Sequence, residues 1–125
     1  MTRRLIAVAV FSVALTTTGA RAGHANEVVE ILLRGHYFVE PATVQITVAV
    51  EPDALNRSLR IEADGERLFR ASQLTLNGAS EKRMHAVEFK NLPAGNYVLR
   101  AEVLGAEDVR GMVEQELVVS GAGMR

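Results

Sequence analysis

The chain has 125 residues, 14 basic and 15 acidic, with a formal net charge of −1 at neutral pH and neither cysteine nor tryptophan. Without a thiol there is no disulfide staple, thiolate metal site, cysteine nucleophile or lipidated amino-terminal cysteine. The two signs of charge are interspersed, which excludes the clustered basic face that nucleic-acid binding requires.

Arg3 and Arg4 precede an uncharged run from Leu5 to Leu15, and Ala20-Arg21-Ala22 follows. This order of basic head, short apolar run and small-x-small site is the pattern of a secretory signal. The run is well short of the roughly 20 residues needed to span a bilayer. Cleavage is expected after Ala22, with Ala25 the second choice, by the general secretory route. Residues 1–22 are therefore assigned to a signal peptide and 23–125 to one domain, periplasmic or extracellular. Removing Arg3, Arg4 and Arg21 leaves 11 basic against 15 acidic residues, a mildly acidic balance that favours solubility.

Behind the signal, short alternating segments are separated by turn residues at Gly35, Pro41, Pro52-Asp53, Asp64-Gly65, Asn77-Gly78, Pro93-Ala94-Gly95 and Gly105. This pattern predicts an all-β chain of short strands. The first is expected over Val28 to Arg34. From Thr43 to Val50, Val44, Ile46, Val48 and Val50 share one face, the period of a half-buried strand. Ser58 to Asp64 repeats it, with Leu59, Ile61 and Ala63 inward. A helix across residues 53–72 would carry Gly65 in its middle, at a cost of about 1 kcal/mol.

Asp64-Gly65 suits a two-residue hairpin turn. That register sets Glu62 opposite Arg67, Ile61 opposite Leu68 and Arg60 opposite Phe69. Phe69 then points outward beside Arg60, and the two are candidate binding residues, since aromatic and arginine side chains anchor interfaces. Further strands are expected over Gln73 to Leu76, Met84 to Phe89, Tyr97 to Leu104 and Met112 to Val119. In these, His85 shares a face with Val87 and Phe89. Gln115 falls on an inward face, where an amide needs partners.

Pro93 fixes its own φ and Gly95 is free to adopt conformations closed to other residues, so together they form a corner between strands of different sheets. Tyr97 follows with its ring inward and its hydroxyl able to reach back to the corner. The stretch Leu92-Pro93-Ala94-Gly95-Asn96-Tyr97 resembles the tyrosine corner of immunoglobulin-like and fibronectin type III-like domains. The resemblance implies a two-sheet antiparallel sandwich of about seven strands. It departs from antibody-type domains, whose core holds cysteines and a tryptophan.

No glycine-flanked serine elbow, phosphate loop or calcium loop is present, so no catalytic residue or cofactor is assigned. Asn56-Arg57-Ser58 matches a glycosylation acceptor. The three histidines, His24, His36 and His85, do not form a close pair, and a metal site takes several converging ligands. The chain is similar to small periplasmic copper carriers in "LPAGNYVLRAEV", in Gly111 and in a histidine near the mature amino terminus. That resemblance implies a ligand histidine in the turn after the Tyr97 strand. Here the turn reads "LGAEDVRG", with Val109 at the ligand position. The expected role is thus a non-catalytic module for protein recognition or structural support, with an unidentified protein partner. The alternative is a small metal carrier that uses the freed amino terminus and His24.

Overall fold

The computed structural model describes residues 28–35 and 37–122. The proposed signal peptide, His24 and His36 lie outside them. Eight strands run in order: β1 (Val29–Leu33), β2 (Phe38–Val39), β3 (Ala42–Val50), β4 (Ser58–Gly65), β5 (Phe69–Thr75), β6 (Met84–Leu92), β7 (Gly95–Leu104) and β8 (Val109–Ser120), with one 3₁₀ turn at Gly78–Ser80. They form two sheets, β1-β3-β6 and β2-β8-β7-β4-β5, the second curled into a half-barrel. Every pairing is antiparallel except that of β2 with β8. The alternation in the sequence becomes burial: Val44, Ile46, Val48 and Val50 of β3 meet Leu59, Ile61, Leu99, Ala101, Val103 and Leu117 of the larger sheet in one core.

The first edge of the molecule divides between the sheets. β1 pairs with β3, and after a connection of four residues β2 pairs with the end of β8, Phe38 beside Val119 and Val39 beside Ser120. No strand was expected at β2, which has only two residues and no period to read. On the opposite flank, β5 and β6 are the outer strands of the two sheets. There the Arg70 Nη1 donates a 2.7 Å hydrogen bond to the Lys90 carbonyl, joining one edge to the other.

The hairpin between β4 and β5 corrects the expected register. Asp64 lies opposite Phe69, Glu62 opposite Ala71 and Arg60 opposite Gln73. β5 therefore begins at Phe69 rather than at Gln73. The cause is a turn displaced by two residues, with Glu66 and Arg67 at its tip, closed by the Gly65 N–H donating to the Leu68 carbonyl at 2.9 Å. Gly65 is not the turn's positive-φ residue. It stays in β4 opposite Tyr97 of β7, and a Cβ built on it would stand 2.6 Å from the Tyr97 ring. The aromatic ring requires a glycine beneath it.

The corner between β6 and β7 passes from one sheet to the other. Asn91 holds a left-handed φ of 59°, Gly95 follows at 154°, and the Tyr97 hydroxyl donates to the Pro93 carbonyl at 2.6 Å.

Candidate functional site

The outer face of the larger sheet carries a lateral charge ladder. Strand register sets Glu62 of β4, Arg100 of β7 and Glu114 of β8 in one row. Arg100 Nη1 donates to Glu62 at 2.7 Å, and its Nε donates to Glu114 at 2.9 Å. Glu62 is only 7% exposed and is further ion-paired with Arg60. The Arg60 Nε is buried and close to that carboxylate, yet its N–H is not aimed at an acceptor. Bonds donated to Glu114, then Glu62, hold the Arg100 guanidinium protonated even more firmly than usual. The ladder is thus a rigid, internally neutralised strip.

Arg60 and Phe69, the two candidate binding residues, lie on this same face but not in one row. Phe69 is 51% exposed beside Asp64, and Arg60 lies four residues along β4, opposite Gln73. A shallow depression of about 220 Å³ is lined by Arg60, Ala71, Ser72 and Gln73; Phe69 does not line it.

At the end of the molecule where β3 turns to β4, Asn56 is the organising residue. It is 2% exposed. Its Nδ2 donates to the Glu51 carbonyl at 3.0 Å, and its Oδ1 accepts from Arg110 Nε at 3.1 Å. An amide so enclosed, with both its nitrogen and its oxygen engaged, is closed to solvent in the folded chain.

The opposite end is gathered by Glu40. One carboxylate oxygen accepts the Ala94 N–H at 2.9 Å, and the other accepts the Ala122 N–H at 3.2 Å. These two bonds, Ala94 first, hold its carboxyl below the usual range. Burial pushes the neighbouring Tyr97 phenol up. Beside this cluster, where the chain leaves one sheet for the other, Leu33, Gly35, Phe38, Gln115, Glu116, Leu117 and Val118 line a cleft of about 260 Å³. Gln115 is half-buried there rather than enclosed in the core.

Among the described residues no three histidine, aspartate or glutamate side chains converge on a metal position. His85 is 6% exposed, and its Nε2 lies 3.1 Å from the Lys82 carbonyl, which engages that nitrogen in a backbone contact.

No protein-family model matches the sequence, and no curated protein is significantly similar to it. Solved structures are similar in fold. The superoxide reductase (neelaredoxin) from Ignicoccus hospitalis aligns at a TM-score of 0.58 and 15% identity, over 74% of this chain and 80% of that one. Two single-residue variants of that enzyme align at 0.61 and 0.60, with 16% and 18% identity; each alignment spans 83% of this chain, and they cover 89% and 94% of theirs. At such identities the likeness shows a shared fold.

The likeness overturns the expectation of a non-catalytic recognition or support module. That expectation moved from fold to role by analogy, and one fold hosts many roles. Structures with this fold over most of their length are redox enzymes by name, so the fold gives no ground for calling the chain non-enzymatic. One-electron chemistry on superoxide relies on a bound metal or organic cofactor. The described residues do not fit such a centre: they offer no converging ligands, and the chain has no cysteine.

Proposed function

We propose that the chain is a small exported metal carrier, built on a fold that redox enzymes also use. The likeness to the neelaredoxin structures is the observation that supports it. The ligands are drawn from the segment ahead of β1. With cleavage after Ala22, His24 becomes the second residue. Its imidazole, its amide nitrogen and the α-amine of Gly23 would then be the nitrogen donors for Cu(II), a metal that favours such ligands.

Val28 marks where this segment leaves the body. Its carbonyl accepts the Glu51 N–H at 2.9 Å, and a Cβ on Gly111 would meet its side chain at 2.7 Å. A carrier also needs an acceptor protein, and the outward Phe69 and Arg60 are the residues offered to it. The finer fold reading is an immunoglobulin-like sandwich. It is supported by the first edge being shared between two sheets and by the Tyr97 hydroxyl bond at the corner.

Titration of the processed protein with Cu(II), read by absorbance and electron paramagnetic resonance, tests the proposal. One tight, nitrogen-rich site is expected, lost in His24→Ala and in a chain whose α-amine is acetylated. Binding that survives both changes, or no binding at all, refutes it.

A further inference from the structure

We propose that Glu40 is an acid-released latch that holds β2 in the larger sheet. β2 is the shortest strand of the molecule, paired with β8 through two residues only. A third link follows directly, where the Glu40 N–H donates to the Ser120 carbonyl at 2.8 Å. The Glu40 side chain then ties this segment to two distant places: the Ala94 N–H in the β6–β7 corner, and the Ala122 N–H beyond the end of β8. Three parts of the chain thus meet at one carboxylate.

The chemistry of that carboxylate makes the joint conditional. Ionised, both oxygens only accept, and each faces one N–H donor. Protonated, the carboxyl loses its charge and one oxygen becomes a hydroxyl, a much poorer acceptor, so the bonds to Ala94 and Ala122 are both weakened, most of all the one that falls on the hydroxyl. The loss also removes negative charge opposite Arg67 of the β4–β5 turn, the described cation that acts on Glu40. Tyr97 of β7 is a titratable neighbour, which feels Arg67, Arg70 and Glu40. Arg67, Arg70 and Tyr97 do not change charge in mild acid, so of these groups Glu40 is the one that responds there; Glu116 of β8 lines the adjoining cleft but makes neither of the two bonds.

Geometry also gives the release an outcome. Phe38, the first residue of β2, forms one wall of the 260 Å³ cleft with Leu33 and Leu117. Freeing β2 unroofs these apolar side chains while the core, held by β3, β4 and β7, stays closed. The latch is independent of where a metal binds.

The sign follows from the two bonds. They lower the folded carboxyl below its unfolded value, so their stabilisation is present above the ordinary carboxylate range and is lost as the pH falls through the folded value.

Hydrogen exchange at single-residue resolution, between pH 7 and pH 3 and corrected for intrinsic rates, tests this on the processed protein. The Glu40, Ala94 and Ala122 amides are expected to lose protection with acid while Ile46 and Leu99 keep theirs. In Glu40→Gln the three amides are expected to be weakly protected at pH 7, with no further loss on acidification. Equal protection in the variant, or parallel loss at Ile46 and Leu99, overturns the latch. Should the variant fail to fold, the wild-type carboxyl carbon of Glu40 and the Ala94 amide proton decide it. A shared titration midpoint below the ordinary carboxylate value upholds the latch, and separate midpoints overturn it.

Discussion

Tyr97 rests on Gly65: the ring lies only 2.6 Å from where a Cβ on that residue would stand, while its hydroxyl donates to the Pro93 carbonyl at 2.6 Å. One side chain therefore couples the β4–β7 pairing to the corner between the sheets.

Gly65→Ala should destabilise the fold by about 1–3 kcal/mol, the usual cost of overpacking. Tyr97→Phe should cost about 1 kcal/mol, because it keeps the ring and loses only the hydroxyl bond. Urea unfolding of both variants checks this. A Gly65→Ala variant as stable as the parent would mean that ring and strand are not in contact.

The Tyr97 phenol should ionise above the ordinary tyrosine range, because burial disfavours the phenolate. Its folded pKa is raised, so the associated stability is present below the unfolded value and lost as the pH rises through the folded one. The difference in alkaline absorbance titration between the parent and Tyr97→Phe isolates this group.

Asn56→Ala should destabilise by about 1–3 kcal/mol, since Arg110 Nε and the Glu51 carbonyl each lose a partner. Asn56→Asp should also destabilise, because a carboxylate facing the Glu51 carbonyl has no N–H to donate.

Arg100→Met should cost more than Arg60→Met. Arg100 makes two directed bonds across three strands, whereas the Arg60 Nε points at no acceptor. Hydrogen bonds to charged groups are worth about 1.5–3 kcal/mol each, so a loss near the upper end is expected for Arg100 and under about 1 kcal/mol for Arg60. Thermal unfolding at two salt concentrations separates the pair.

The parts of this fold legible in the sequence are those whose cause is local. β3 announces itself because Val44, Ile46, Val48 and Val50 repeat every second residue, and the Pro93–Tyr97 corner does so because its residues are contiguous. Gly65 was legible as a glycine but not for its reason, since its neighbour is Tyr97, 32 positions away on another strand. Glu40 gave no signal: its partners lie 54 and 82 residues further along. The structural role of Asn56 was not legible because a tripeptide pattern carries no burial. The hairpin register slipped because Asp64-Gly65 carries the stronger turn signal while the chain turns two residues later, at Glu66-Arg67, and both choices leave Phe69 facing outward.

The Arg70 bond to Lys90 has a further effect outside the single molecule. The Val50 N–H to Arg83 carbonyl bond fixes which residues of β6 face β3, so Met84, Ala86, Glu88 and Lys90 turn their backbone groups to the open flank. A bare outer strand of nine residues is a template for fibre growth, and the guanidinium occupies the last of its four outward carbonyls. Arg70→Ala should therefore quicken seeded aggregation, followed by thioflavin fluorescence, while leaving the melting temperature nearly unchanged. A side chain that adds little to the fold would then be one that keeps neighbouring copies from joining it.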